Sequence, residues 1–292
     1  MIPQILVNGL LAGLTWGLLA VGFTLIYRVV RFFHVAYAAT YLIGAYAGVW
    51  LIQQQTAGVA LAGVAAMAFA AIAGCIMELA VYLPLRKRRS SPLVFLMASL
   101  ALVVIIQNIV GLLFGSEIQV AGIWESQDSI RMAGASVTRW QGISALVSIF
   151  LSGCAWFVVR HTSFGREMRA VATDAALADI VGIRCNRVIL VTIGLGSALA
   201  GMAGFLAACD TAIAPSKGLG VLLIGVTAAI IGGIGSVRGA MLGGLLVGVA
   251  QHLGVWKLPA QWQDAIVFVI LIVFLFIKPH GFLGSPMRTA KI

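Results

Sequence analysis

The sequence predicts an all-α fold, a polytopic bundle of helices integral to a membrane, and three observations carry that expectation. Of 292 residues, 61% are hydrophobic and 10% charged, against about 25% charged in an ordinary soluble domain. Mean hydropathy is +1.07. The apolar residues also fall into runs close to the roughly 20 residues that a helix needs to cross a bilayer, and short basic segments separate them. A soluble chain of this length needs polar residues over its outside. A soluble enzyme, a nucleic-acid binder and a disordered chain are therefore excluded as descriptions of the whole.

Nine runs follow one another along the chain. The first, 5–27, has no basic segment ahead of it and no small-residue cleavage site behind it, so it should remain as a span. It carries Gly9, Gly13 and Gly17 four residues apart, and the second run, 35–52, carries Gly44 and Gly48. Glycine at this spacing lets helix backbones approach in lipid, where packing rather than hydrophobicity drives association. The runs 60–83, 93–114, 140–159 and 188–208 come next. The last three, 218–236, 240–256 and 264–277, are shorter or broken by glycine. The 218–256 stretch reads as two spans or as a re-entrant pair, which makes eight or nine apolar segments. Within it, Gly232-Gly233-Ile234-Gly235 interrupts the hydrophobic pattern like the broken helices that line transport pathways. Gly239-xxx-Gly243 and Gly244-xxx-Gly248 follow.

Charge placement orients the chain. With nine spans, fifteen of the nineteen basic residues fall on one side: Arg28 and Arg31, the 86–89 cluster, five arginines in 160–187, Arg238, and Lys278, Arg288 and Lys291. Basic loops stay in the cytoplasm. The N-terminus is then expected outside and the C-terminus inside. The outer side collects Glu117, Glu125, Asp128, Asp210 and Asp264, an external loop of about 115–139, and Trp124, Trp140, Trp256 and Trp262 at interfacial positions. A re-entrant 218–256 would put the basic tail outside, so nine crossings are preferred.

Little in the spans offers chemistry. Cys75, Cys154, Cys185 and Cys209 are scattered without a CxxC pair and read as small apolar residues. Apart from Asp264, which opens the last run, Glu78 is the one acid inside a run; it reads as an interfacial carboxylate answered by Arg86 or Lys87 in preference to a proton or substrate site. Gln107 and Asn108, mid-span, either bond to another helix or line a pathway. The four histidines are far apart, and neither HExxH nor GxSxG is present. No lysine follows a glycine, as a phosphate-binding P-loop requires, so any ATP that drives this protein is hydrolysed by another chain. No metal or cofactor is expected on this one.

The segment at about 160–187 is too charged to span and too well patterned for a plain linker. Asp174 is a good N-cap, Leu177, Ala178, Ile180 and Val181 form one face, and Gly182 suits the C-terminal cap. A short amphipathic helix of this kind lies on a membrane surface or docks into a partner's groove; the residues leave both open.

This segment resembles the cytoplasmic coupling segment of permeases in the branched-chain amino-acid family of ABC importers, the LivH-type subunit. The resemblance extends to Pro84-Leu85-Arg86 with Pro92-Leu93, Gln107-Asn108, Phe114-Gly115-Ser116-Glu117, Gly232-Gly233-Ile234-Gly235-Ser236, Gly239-Ala240-Met241 and Pro279-His280-Gly281-Phe282-Leu283-Gly284. In order and spacing these cover nearly the whole chain. The resemblance implies one permease domain over 1–292, in the bacterial inner membrane, that binds no nucleotide itself. A second permease chain, a paralogue or another copy, would share the pathway; ABC ATPase subunits would bind ATP and the coupling loop; a periplasmic solute-binding protein would deliver substrate, and translocation would run by alternating access between the two permeases. It further implies coupling roles for Gly165, Arg166, Glu167, Arg169, Asp174 and Gly182, and pathway positions at Tyr37, Gln107, Asn108, Gly232, Gly233 and Gly235. One stretch departs from the family's Asn-Phe-Ala-His-Gly-Glu: here it reads His34-Val35-Ala36-Tyr37-Ala38-Ala39, which implies a change in substrate or pairing. Branched-chain or other hydrophobic amino acids are the expected substrate class, with urea, short amides or another small solute as the alternative. A secondary transporter or channel without an ATPase is the competing class, and the missing acid relay and the patterned loop speak against it.

Overall fold

The structure is a computed structural model and describes residues 2–55, 58–115, 117–121, 129–132, 135–256, 259, 262–278 and 281–284. Ser116, Trp124, Glu125, Asp128, Pro279, His280, Arg288 and Lys291, invoked above, lie outside the described residues.

Each of the nine apolar runs is helical. In chain order these are α1 (Ile2–Val30), α2 (Tyr37–Gln53), α3 (Val59–Met77), which continues through a π-turn at Glu78–Tyr82 into α4 (Leu83–Lys87), and α5 (Pro92–Phe114). A short antiparallel hairpin, β1 (Ser129–Met132) and β2 (Ala135–Thr138), precedes α6 (Arg139–His161). Then come α7 (Ser163–Thr173), α8 (Ala175–Ile180), α9 (Cys185–Asp210), α10 (Gly218–Gly232), α11 (Val237–Val255) and α12 (Gln263–Ile277). Among the described residues, six helical stretches are long and apolar enough to cross a membrane: those of α1, α3–α4, α5, α6, α9, and α10 together with the 3-10 turn at Pro215–Lys217 that leads into it. The count of eight or nine crossings is not established by helix length and hydropathy, because α2 and α12 have 17 and 15 residues and α11, continuous over 19, carries Arg238, Gln251 and His252 among its apolar residues.

Local sequence explains the breaks. Pro84 lacks the N–H that would bond four residues back, and the widened turn at Glu78–Tyr82 takes up the misfit. α6 begins in a capping box: Gln141 N donates to Thr138 Oγ1 (3.3 Å) and Thr138 N to Gln141 Oε1 (3.4 Å). Gly233 and Gly235 hold φ of +101° and +94° in the tight connection from α10 to α11, a backbone other residues adopt at a cost. Between α1 and α2 the chain leaves helix while still buried. His34 is fully enclosed there, and Val35 N donates to Ser99 Oγ at 3.0 Å. Irregular backbone at this depth survives because protein surrounds it.

Small residues build the centre. α1 and α11 run antiparallel with their glycines interleaved: a Cβ on Gly9 would stand 2.9 Å from Val249 Cα, and one on Gly13 2.8 Å from Leu245 Cα. Gly244 faces Gly17, and Gly248 faces Gly13. On the other side of α1, α9 packs against α2 through Gly44 and Gly201 and against α3 through Gly74 and Ser197. Large apolar residues are displaced to the outside, among them Leu112, Leu113, Phe150 and Phe276. That inversion is expected where lipid is the solvent.

Candidate translocation and coupling sites

Two cavities open at opposite ends of the bundle. The first lies where α1, α6 and α12 begin and α9 and α11 end. It measures about 630 Å³, inside the roughly 300–1,000 Å³ typical of small-ligand pockets. Leu11, Trp16, Leu206, Val221 and Ile224 supply an aliphatic and aromatic wall, and Asp210, Lys217, His252 and Asp264 supply charge and a titratable ring at the rim. Lys217 Nζ donates to the Ala212 carbonyl at 3.1 Å, and His252 Nδ1 lies 2.9 Å from the Gly248 carbonyl. Gln251, buried near the end of α11, adds to a polar lining that also includes Asn8, Gln141 and Ser144. Opposite charges above an apolar wall suit a small zwitterion with a hydrophobic side chain. Sequence reading placed Asp210 and Asp264 on one side of the membrane but not in one site. They stand at helix ends widely separated in sequence, and nothing local announces that those ends converge.

The second cavity, about 1220 Å³, lies at the other end, between α1, α6, α7 and the start of α11. Gly235, Arg28, Arg31 and Arg169 are in its lining.

The coupling segment is more structured than a loop with one short helix. α7 precedes α8, and Asp174 separates them with extended backbone (φ −154°, ψ 110°). Thr162 caps α7 through Gly165 N at 3.0 Å. Asp174 Oδ1 caps α8 by accepting from Ala176 N (2.9 Å) and Leu177 N (3.1 Å). Gly182 closes α8 with φ +90°; its N–H donates to Asp179 and that of Ile183 to Ala178, each at 3.0 Å, a Schellman closure. The cap and stop read from the sequence at Asp174 and Gly182 are therefore where the helix starts and ends. Of the expected apolar face, Ala178 turns inward, while Leu177, Ile180 and Val181 stand 61%, 81% and 80% exposed. The start of α7 was missed because its amphipathic pattern runs through charged residues, although Thr162-Ser163 offered a cap signal.

The other proposed residues separate. Gly165 is pressed against the backbone carbonyls of Val158 and Val159, so a side chain there would lever α7 away from α6. Arg166 and Glu167 are exposed, whereas Arg169 turns back to donate to the Val159 carbonyl. Tyr37 is in the core, its hydroxyl donating to the Leu19 carbonyl at 2.8 Å and its ring edge-on to Phe23. Gln107 is half-buried and Asn108 exposed, the latter bonding back to the Val104 carbonyl at 2.7 Å. Neither lines a cavity described here. Gly232 packs on Gly239, and Gly233 on the Leu283-Gly284 backbone. Glu78, 1% exposed, is paired with Arg86 at 2.8 Å, as its place near the basic 86–89 cluster predicts, and is buried.

Comparison with known proteins covers almost the whole chain. The family described as branched-chain amino acid transport system / permease component matches residues 5–275. The high-affinity branched-chain amino acid transport system permease protein LivH of Salmonella typhimurium is 31% identical, with 97% of this chain and 96% of that protein aligned. Its counterpart BraD of Pseudomonas aeruginosa is 33% identical over the same shares. Among solved structures, PsaBC from Streptococcus pneumoniae in complex with Fab superposes with a TM-score of 0.54 at 13% identity, covering 98% of this chain and 94% of that one; at that identity the likeness is one of fold. The end-to-end match, on a bundle of apolar helices with a capped helical segment projecting from it, leads to one conclusion: this chain belongs to the family of permease components of branched-chain amino acid transport systems.

Proposed function

We propose that this chain is a single-domain, multi-pass permease subunit of an ABC importer, carrying branched-chain amino acids or close hydrophobic relatives across the inner membrane by alternating access. The carrying observation is the 630 Å³ cavity at one end of the bundle, where Asp210 and Lys217 flank an aliphatic wall. An α-ammonium placed at Asp210, an α-carboxylate at Lys217 and a branched side chain against Leu11, Val221 and Ile224 satisfy all three parts of such a substrate. The relatives' named substrates support the same class over urea or amides.

Charge asymmetry supports nine crossings, with the cavity facing the periplasm and a solute-binding protein, and the α7–α8 segment in the cytoplasm. The exposed Leu177, Ile180 and Val181 form an apolar tip on the segment that would enter a groove on the ATPase subunits. ATP would bind there and not on this chain. A second permease would cover α5, whose exposed Leu112 and Leu113 share the helix with the exposed amide of Asn108, a polar group unsuited to face lipid.

The test is ATP-driven uptake of labelled leucine by the complete complex in proteoliposomes. Losing a charged hydrogen bond is worth about 1.5–3 kcal/mol, so Asp210→Asn and Lys217→Gln are each expected to lower transport roughly ten-fold or more while assembly is kept. Unaltered uptake in both variants would remove the cavity from the pathway.

A further inference from the structure

The second cavity is a cluster of positive charge separate from the proposed substrate site. Arg28, Arg31, Arg160, Arg169 and Arg238 all line it. Arg28 Nη1 donates to the Gly235 carbonyl at 3.1 Å and Arg31 Nη2 to that of Thr173 at 2.9 Å. Arg238 lies over the Trp156 ring at 4.5 Å and Arg160 near the same ring at 5.8 Å. None of the five is ion-paired among the described residues. Asp174, the acid in the lining, is committed to capping α8. Each guanidinium has five N–H donors; with the further bonds of Arg31 to the Ala172 carbonyl and of Arg169 to that of Val159, these contacts use at most two of the five on any one arginine. So many like charges in one concavity call for an anion with several acceptor oxygens.

Position and surroundings say which anion. The cleft sits where α1 and α6 end and α11 begins, at the level where apolar spans give way to basic residues, with Trp156 one turn inside. The outer face of α6 leads straight to it. Leu146, Ile149, Phe150 and Phe157 are exposed at helical spacing, and the same face ends at Arg160. An apolar stripe terminating in a basic cleft has the dimensions of an acyl chain below a headgroup. Basic pockets between helix ends on the cytoplasmic side are suited to anionic lipid headgroups. We propose that this cleft binds a phosphate-bearing anion, supplied as the headgroup of an anionic phospholipid whose acyl chains lie along α6. The bound lipid bridges α1, α6, α7 and α11, and so ties the membrane composition to the seating of the coupling segment.

The experiment is native mass spectrometry of the intact complex titrated with phosphatidylglycerol or phosphatidylcholine, and separately with inorganic phosphate. The variants are Arg160→Gln with Arg238→Gln, the charge-keeping Arg238→Lys, and Arg88→Gln as a basic residue outside the cleft. An arginine that contacts the lipid headgroup contributes about a five-fold change in affinity for anionic lipid. The double variant is expected to lose phosphatidylglycerol retention by roughly twenty-fold, with Arg238→Lys and Arg88→Gln close to the parent. Binding of inorganic phosphate by the parent, lost in the double variant, without retention of lipid, would support the anion site and refute its lipid source. Equal losses in Arg88→Gln and the double variant would overturn the proposal. So would unchanged lipid retention accompanied by loss of the ATPase subunits, the result that an acidic partner segment in the cleft would produce.

Discussion

Replacing Gly13 by alanine sets two opposing effects against each other, and the structure decides the sign. In an open helix the change is favourable by about 1 kcal/mol, because glycine costs more backbone entropy. Gly13 is not in an open helix. Its new methyl would stand 2.8 Å from Leu245 Cα and 2.9 Å from the Gly244 carbonyl oxygen, whereas carbon atoms rest at about 3.5–4.0 Å. The shortfall is about 1 Å, and the obstacles are main chain, which cannot rotate aside as a side chain can. α1 and α11 must therefore separate, and the loss spreads to Gly9, Gly17 and Gly248 along the same seam. Overpacking of this kind costs about 1–3 kcal/mol, which outweighs the propensity gain. Gly153, exposed on α6 with no atom within 4 Å of its would-be Cβ, is the matched control and should be neutral or slightly stabilised as alanine. The assay is the fraction of detergent-purified chain that stays monodisperse after heating. Gly13→Ala is expected to fall at lower temperature than the parent and Gly153→Ala not to. If the two variants melt together, the glycine seam does not hold the bundle.

Three further outcomes are expected. Gly165→Val, whose side chain would collide with the Val158 and Val159 carbonyls, should leave ATP hydrolysis by the complex running while uptake collapses; parallel loss or retention of both activities would argue against coupling through α7. Arg86→Ala should destabilise more than Glu78→Gln, since the first strands a buried carboxylate and the second removes the charge; breaking a buried pair costs up to about 3–5 kcal/mol, less here because Arg86 is partly exposed, and thermal midpoints of the two variants give the order. Thr162→Ala removes the cap on Gly165 N and the hydroxyl's bond to the Val158 carbonyl at the end of α6 and should cost about 1 kcal/mol, read as faster amide exchange at the start of α7 and the last turn of α6, with the middle of α6 unaffected.

Much of this fold was legible because lipid makes the code simple. Long apolar runs must be helices, and the Gly9-Gly13-Gly17 and Gly244-Gly248 spacings named surfaces that do meet. What the spacing did not give was the partner: Gly44 has the same pattern and packs on Gly201 of α9, where glycine spacing was not singled out. Local hydrogen bonding made Asp174 and Gly182 readable as cap and stop. Proximity in sequence made Glu78 readable with Arg86, eight residues along a helical stretch. The cavities were not readable. Asp210, Lys217, His252 and Asp264 come from four segments, and Arg28, Arg160 and Arg238 from three. Their convergence is set by helix packing over the whole chain. Tyr37, singled out for departing from the family pattern, turns its hydroxyl to the Leu19 carbonyl inside the core, a structural use that no sequence spacing distinguishes from a pathway position.

Affinity purification of the tagged chain in mild detergent from its native membrane, with the co-purifying proteins identified and uptake assayed after reconstitution, tests the central claim most directly. An importer permease should bring down ABC ATPase subunits and a second permease chain, and the reconstituted assembly should take up leucine, isoleucine or valine only when ATP is supplied. A chain that purifies alone, binds no ATPase and moves these amino acids down a gradient without ATP would contradict it.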